Sequence, residues 1–432
     1  MKPSGYNSRY GMFASFSDDV PEGKFQFSAS DDILALGFEA RCGSEILRGY
    51  VPPEDSTAVA ALREAGGSLV GKTAIDEFKI CSFGMTAECG VPRNPYDPDR
   101  CCGGSSAGAA AAAATIPGHV ALASSSGAGI NVPASFCGVY GLTPTWGRVS
   151  RHGLIDYAGS CDRIGLMSAD PADFRKLLPR ISFRDPRDPS SMAQPDLDLG
   201  LGAPKSVAVF KDWEWMVSKE VRPIFENALA ELGDKGVRVD AVELPSLRYA
   251  VAAHRAIAAA EGSTSLARYC GLRYGRQDGD LSLGFDEYFT NMRSEHFGMA
   301  AKFASVFGTY VRMMDVRGSY YMDAVAVRGA LVAEFKRIFE NHDAVVLPTV
   351  PTVAPRFDEI KGLGLQESEY VETLSLPHGL AGMPHVTMPC GYASGMPVGM
   401  QLLADHWKEG TVIAAAEAWS KSFKTIKPGA VK

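Results

Sequence analysis

The residues best able to do chemistry in this chain concentrate in two short glycine-serine runs. Gly103-Gly104-Ser105-Ser106-Ala107-Gly108 leads into an alanine tract, and Ser124-Ser125-Ser126-Gly127-Ala128-Gly129 leads into Pro133-Ala134-Ser135-Phe136-Cys137-Gly138. A Gly/Ser turn entering a helix of small residues presents backbone N–H groups to an anion, and a second glycine-rich turn can line an oxyanion site. The serine hydroxyls are potential nucleophiles, but only where a base reaches them. By themselves such turns are more often only turns.

Sulfur chemistry is the other option. The nine cysteines run from Cys42 to Cys390 without a CxxC pair, an odd count that fits reduced thiols in an intracellular compartment, cytoplasm or mitochondrial matrix. Cys101 and Cys102 are neighbours whose side chains diverge, and no His/Cys cluster lies near them, so packing is their expected role. No metal and no other cofactor is expected. A Cys/His mechanism needs an imidazole at the thiol, whereas His119, His152, His378 and His385 are scattered along the chain. His119, after Pro117-Gly118, is expected to cap a turn or face solvent.

The elements that must position these residues alternate between helix and strand. Asp55 or Ser56 can cap a helix through Glu64 with Val59 and Leu62 inward, ended by Gly66-Gly67 before the apolar run Ser68 to Val70. Val207 to Phe210 reads as a strand, Lys219 to Leu232 as an amphipathic helix, and Val237 to Leu244 as the next strand. Ala107 to Ser124 is apolar but rich in alanine and broken by Gly108, Pro117 and Gly118. It predicts a core helix and a strand rather than a membrane span. The fold class is therefore α/β with a mostly parallel or mixed sheet. A short N-terminal arm, 1–30, is expected before a single domain, 31–432. That domain carries a Pro-rich loop near 184–204 and a Gly/Asp-rich loop from Tyr274 to Asp286.

At 432 residues, 46% hydrophobic and 22% charged, the chain can bury a full-sized core. Its net charge of −7 supplies no global field to gather a polyanion, so direct nucleic-acid binding is not expected. Met1 to Asp32 has no apolar signal region, which argues against secretion.

The GGSS run and the second glycine turn resemble the amidase signature. The likeness extends through Gly71-Lys72-Thr73, Arg93-Asn94-Pro95, Tyr140-Gly141-Leu142, Gly147-Arg148-Val149, Leu266-Ala267-Arg268, Gly308-Thr309-Tyr310 and Leu380-Ala381-Gly382. Within that family it is most similar to the A subunits of glutamyl-tRNA(Gln)/aspartyl-tRNA(Asn) amidotransferases. The resemblance implies one large mixed sheet with helices on both faces, and amide hydrolysis by a Ser–Ser–Lys relay in which a lysine deprotonates a bridging serine that activates a nucleophilic serine. It also implies partners: a small C subunit on the surface and a B subunit that carries the tRNA.

Carried over position by position, the bridging serine is Ser105, and the nucleophile falls 24 positions later, at Gly129. The lysine falls at Ser30, in Ala29-Ser30-Asp31-Asp32-Ile33. Lys72 and Lys79 are the nearest lysines in sequence, and the Gly-Lys-Thr around Lys72 is structural in the family. Other family positions also differ. Ser125 stands for an aspartate and Asn131 for an arginine, Phe303 and Ala304 stand for two arginines that help hold glutamine, and the acidic partner survives as Glu372. The expectation is thus a catalytically inactive scaffold, a structural or binding subunit of a larger complex. Its old pocket would be lined by Ser105, Ser106, Ser126, Gly127, Ala128, Gly129 and Glu372. The alternative is an active amidase, or an active A subunit of an amidotransferase, with a rearranged site built on Ser105 or on Ser124 to Ser126.

Overall fold

Eleven strands pair into one sheet. In chain order they are β1 (Phe13–Phe16), β2 (Phe25–Ser30), β3 (Gly67–Thr73), β4 (Val120–Ser125), β5 (Tyr140–Thr143), β6 (Arg163–Ser168), β7 (Ser206–Phe210), β8 (Arg238–Val242), β9 (Ala344–Pro348), β10 (His385–Ala393) and β11 (Met396–Leu403). The order across the sheet is β1-β3-β2-β4-β6-β5-β10-β11-β9-β7-β8. This computed structural model describes residues 2–20, 22–191, 194–361 and 370–428. Two parallel groups, β3-β2-β4 and β9-β7-β8, flank an antiparallel middle, and β1 closes one edge antiparallel to β3. The expected mixed α/β sheet is what the chain forms.

Period-two alternation explains how β4 serves two layers at once. Val120 and Leu122 enter the core on one face with Phe27, Leu142 and Val386, while Ala121 and Ala123 face the helix Ala107–Thr115 on the other. All six residues of β4 are buried, as for a strand covered on both sides. The alanine tract forms the predicted helix, and its lack of bulk lets it lie close to the sheet: Gly108 N donates to Ala74 O at 2.9 Å. Ser56 caps the helix Thr57–Glu64 by accepting from Val59 N, a contact worth about 1 kcal/mol.

The segment expected as an arm is built into the sheet: β1 and β2 both precede residue 31. Nor is His119 at a solvent-facing cap. It is buried, its Nε2 lies 2.8 Å from Ser28 Oγ, and burial holds its pKa down to about 4. The Pro-rich loop holds one short 3-10 turn, Pro189–Ser191, among its described residues. Among the described residues no helix is long and apolar enough to cross a membrane.

Candidate active site

The two glycine-serine runs meet at the C-terminal end of β4. Ser105 and Ser106 open the helix Ala107–Thr115, while Ser126 to Ile130 form the turn into the helix Asn131–Phe136. Ser106 ties the two together: its N donates to Gly129 O at 3.1 Å and its Oγ donates to Ser124 O at 2.8 Å. The structure thus brings Ser105, Ser106 and the 124–129 run together, and Gly129 faces Ser105 directly. A Cβ at position 129 would stand 2.6 Å from Ser105 Oγ, so the two positions are as close as partners in a relay must be. The Ser105 hydroxyl makes no hydrogen bond among the described residues.

Ser30 ends β2 in register with Thr73 of β3, and the hydroxyls of both are buried without a partner. Position 30 supplies no ammonium, and the buried lysine that meets the serines at the end of β4 through their aspartate partners is Lys79. The backbone passes through the left-handed region at Phe78 and Lys79, with φ of 47° and 66°, at a cost of about 1 kcal/mol per residue. Lys79 Nζ lies 3.1 Å from Asp32 Oδ2 and 3.8 Å from Asp162 Oδ2, and donates to Ile155 O at 2.7 Å. Each aspartate in turn accepts a serine hydroxyl from the β4 end. Ser124 Oγ donates to Asp32 Oδ2 at 2.6 Å, and Ser126 Oγ donates to Asp162 Oδ1 at 2.5 Å.

Electrostatics sorts these groups into roles. Burial penalises the Lys79 ammonium, yet Asp162 and Asp32 together hold its pKa above the ordinary lysine value, so Lys79 is a fixed cation and not a base. Burial raises the Asp162 carboxyl, and Lys79 and the Ser126 hydroxyl moderate that rise, which suits a proton acceptor. Lys72, also fully buried, has its pKa lowered by burial. It donates to the Asp31 carbonyl oxygen at 3.3 Å.

On the outer side of the Ser126 turn, His254 Nε2 lies 2.7 Å from Ser126 O. The neighbouring Arg255 pairs through Nη2 with Glu372 Oε2 at 2.7 Å. A Cβ at Gly127 would meet Leu376 and His254 at 2.6 and 2.7 Å, which is why the turn takes glycine there. Within the turn, the N–H groups of Gly127 and Gly129 donate to Ser125 Oγ at 3.3 and 3.0 Å. Of the family-derived glutamine positions, Glu372 is in this neighbourhood, whereas Phe303 is on an exposed helix face and Ala304 is buried beneath it. Asn131 donates to Gln401 Oε1 at 2.9 Å in an interior network. Cys101 and Cys102 are buried, and desolvation pushes both thiols well up. Among the described residues no group of three His, Cys, Asp or Glu side chains is placed to hold a metal ion.

Sequence reasoning missed Asp32, Asp162, His254 and Arg255. Asp162 lies 36 residues from Ser126 and reaches it only because β6 pairs beside β4. For Lys79 there was one signal, a lysine set between Phe78 and Ile80.

One mixed sheet thus carries a serine-bearing glycine turn at the end of its interior strand β4. The chain belongs to the amidase family, whose model, described as Amidase, matches residues 30–413. It is 38% identical over 409 residues to the A subunit of glutamyl-tRNA(Gln) amidotransferase from Symbiobacterium thermophilum, a match that covers 92% of this chain and 82% of that protein. To the protein of the same name from Akkermansia muciniphila it is 37% identical over 428 residues, covering 96% and 91%. The crystal structure of the corresponding A subunit from Thermotoga maritima superposes with a TM-score of 0.83 at 29% identity, over 99% of this chain and 92% of that one. A 6-aminohexanoate cyclic dimer hydrolase complexed with substrate shares the fold, with a TM-score of 0.84 at 21% identity over 99% and 93% of the two chains. These likenesses overturn the expectation of a catalytically inactive scaffold, because over nine-tenths of its length the chain matches proteins named as amidotransferase subunits.

Proposed function

We infer that the chain is the amide-handling A-type subunit of a glutamine-dependent transamidation system. Its hydroxyl chemistry is carried by the turn after β4 rather than by a side chain at position 129. The observation that carries this reading is the Ser126 hydroxyl 2.5 Å from Asp162, with the Lys79 ammonium 3.8 Å from the same carboxylate.

In this reading Ser126 Oγ attacks the carbonyl carbon of a carboxamide while its proton passes to Asp162. Collapse of the tetrahedral adduct breaks the C–N bond, and the proton moves from Asp162 to the departing nitrogen, which leaves as ammonia. Water then hydrolyses the ester on Ser126. Lys79 stays protonated throughout, and its charge offsets the negative charge of the Asp162 carboxylate before and after the proton is held there. The Arg255–Glu372 pair beside the turn offers both charges that a free amino acid requires, a cation for its carboxylate and an anion for its ammonium. Ser105, retained beside Gly129, lines the same site. The relatives are named as subunits, which supports work in a hetero-oligomer inside the cell. With a net charge of −7, tRNA contact falls to the partner chains.

The test is glutamine-dependent ammonia release by the complex purified from its native source, alongside fluorophosphonate labelling of wild type, Ser126→Ala and Ser105→Ala. Labelling that disappears in Ser126→Ala is the expected result. Absence of both ammonia and label would remove the reading, and label lost only in Ser105→Ala would move the nucleophile there.

A further inference from the structure

The helix Met299–Tyr310 is inside out for a surface helix. Its buried positions are the small residues Ala301, Ala304 and Gly308. Gly308 packs so tightly that an added Cβ would fall 1.8 Å from Ala259 O of the helix Ala250–Leu266. Its large apolar side chains point the other way: Met299 is 80% exposed, Phe303 53%, Val306 72% and Tyr310 42%. Met313 and Met314 extend the patch just beyond the helix end. A helix that docked only onto its own domain would bury its bulk and expose its small residues.

The spacing 299, 303, 306, 310 advances by four, three and four, the seam of a two-stranded coiled coil, and it places Lys302 at the flanking position that pairs across such a seam. A groove of about 770 Å³ runs alongside, between this helix and Phe285–His296, and Val306 and Tyr310 line it. Three cations border it: Arg293, Lys302 and Arg312. Their bonds go to neutral oxygens. Arg293 donates to Ser305 Oγ at 3.2 Å, Lys302 to Ser294 O at 2.5 Å, and Arg312 to Thr264 Oγ1 at 2.9 Å. Among the described residues no carboxylate lies within salt-bridge distance of any of the three. Glu77, which feels the charge of Lys302, is already bonded to Ser44 and to Gly298 N.

We propose that this face docks one amphipathic α-helix of a protein partner, apolar at its own seam positions and acidic at the positions flanking them. The seam spacing specifies a helix rather than a strand or a flat surface, and the unpaired cations specify its charge. A second copy of this chain fits poorly, because it would set Lys302 and Arg312 against their own kind.

The probe is a designed peptide of about three heptads with Leu at a and d and Glu at e and g, which repels itself and stays monomeric until it meets a basic seam. Its counterpart carries Lys at e and g. Titrated by fluorescence anisotropy into the full chain, the acidic peptide is expected to bind saturably at 1:1, and the Lys peptide at least about tenfold more weakly. Val306→Asp and Phe303→Asp, both at exposed positions, are expected to weaken the acidic peptide by about tenfold or more with the thermal melt unchanged. Lys302→Glu with Arg312→Glu is expected to reverse the preference toward the Lys peptide. Equal binding of both peptides, binding of neither, or a dimer of the chain that Val306→Asp dissociates would each overturn the proposal. None of these readouts depends on amide hydrolysis.

Discussion

Replacing Lys79 by methionine removes the cation from between Asp32 and Asp162 while keeping most of its volume. The distances of 3.1 and 3.8 Å correspond to attractions of about 5 and about 4 kcal/mol at an effective dielectric of about 20. Much of that is offset because methionine carries no charge to desolvate. What remains is the penalty for leaving carboxylates buried without a counter-charge, about 3 to 5 kcal/mol for breaking a buried pair. The penalty has a pH signature. Burial already raises the Asp162 carboxyl, and without Lys79 it rises further, so the folded variant binds a proton that the unfolded chain releases near pH 4. A carboxyl raised in the folded state loses stability as pH climbs. The deficit of Lys79→Met relative to wild type should therefore be largest at pH 7.5 and shrink on acidification toward pH 5, by up to about 1.4 kcal/mol per pH unit for each extra proton. Urea denaturation followed by tryptophan fluorescence at both pH values measures it. A variant as stable as wild type, or a deficit independent of pH, would refute the placement of a charged Lys79 against the buried Asp162 carboxylate.

Acid should destabilise the wild type for a second reason. Burial holds the pKa values of His119, His254 and His378 down to about 4, about 4 and about 3. A histidine depressed in the folded state contributes stability above its unfolded pKa near 6.5 and loses it below, at about 1.4 kcal/mol per pH unit each. The urea midpoint is expected to fall steeply between pH 7 and pH 5, and a flat profile would contradict the buried neutral imidazoles. The thiols should be inert in the folded chain. Burial pushes Cys81 and Cys89 up to about 12, and holds Cys42, Cys101 and Cys102 well above the ordinary thiol value. A disulfide-exchange reagent at pH 8 is expected to titrate all nine only after denaturation, and fast stoichiometric reaction of Cys101 or Cys102 in the native protein would argue for a redox role.

The legible parts of this protein were those in which the signal is local. Ser56 announced its helix because a cap needs only its own next turn, and it bonds Val59 N as the pattern requires. The alanine tract and the strand after it were readable for the same reason. Motif spacing located Ser105 opposite Gly129, since both belong to short runs whose order is written in the chain. His119 misled because nothing near it in sequence shows that Ser28, 91 residues away, waits beside it.

Composition, periodicity and motif order were enough to determine the layered α/β sheet, the amidase family and the two serine-bearing turns, because each rests on neighbours a few residues apart. Only tertiary structure decided which charges meet those turns. Lys79 reaches Asp32 and Asp162 across 47 and 83 positions, brought together by strand order and a left-handed bend in the backbone. Coulombic and hydrogen-bond energies depend on separation in space, and the sheet's order of pairing, not the order of residues, sets that separation.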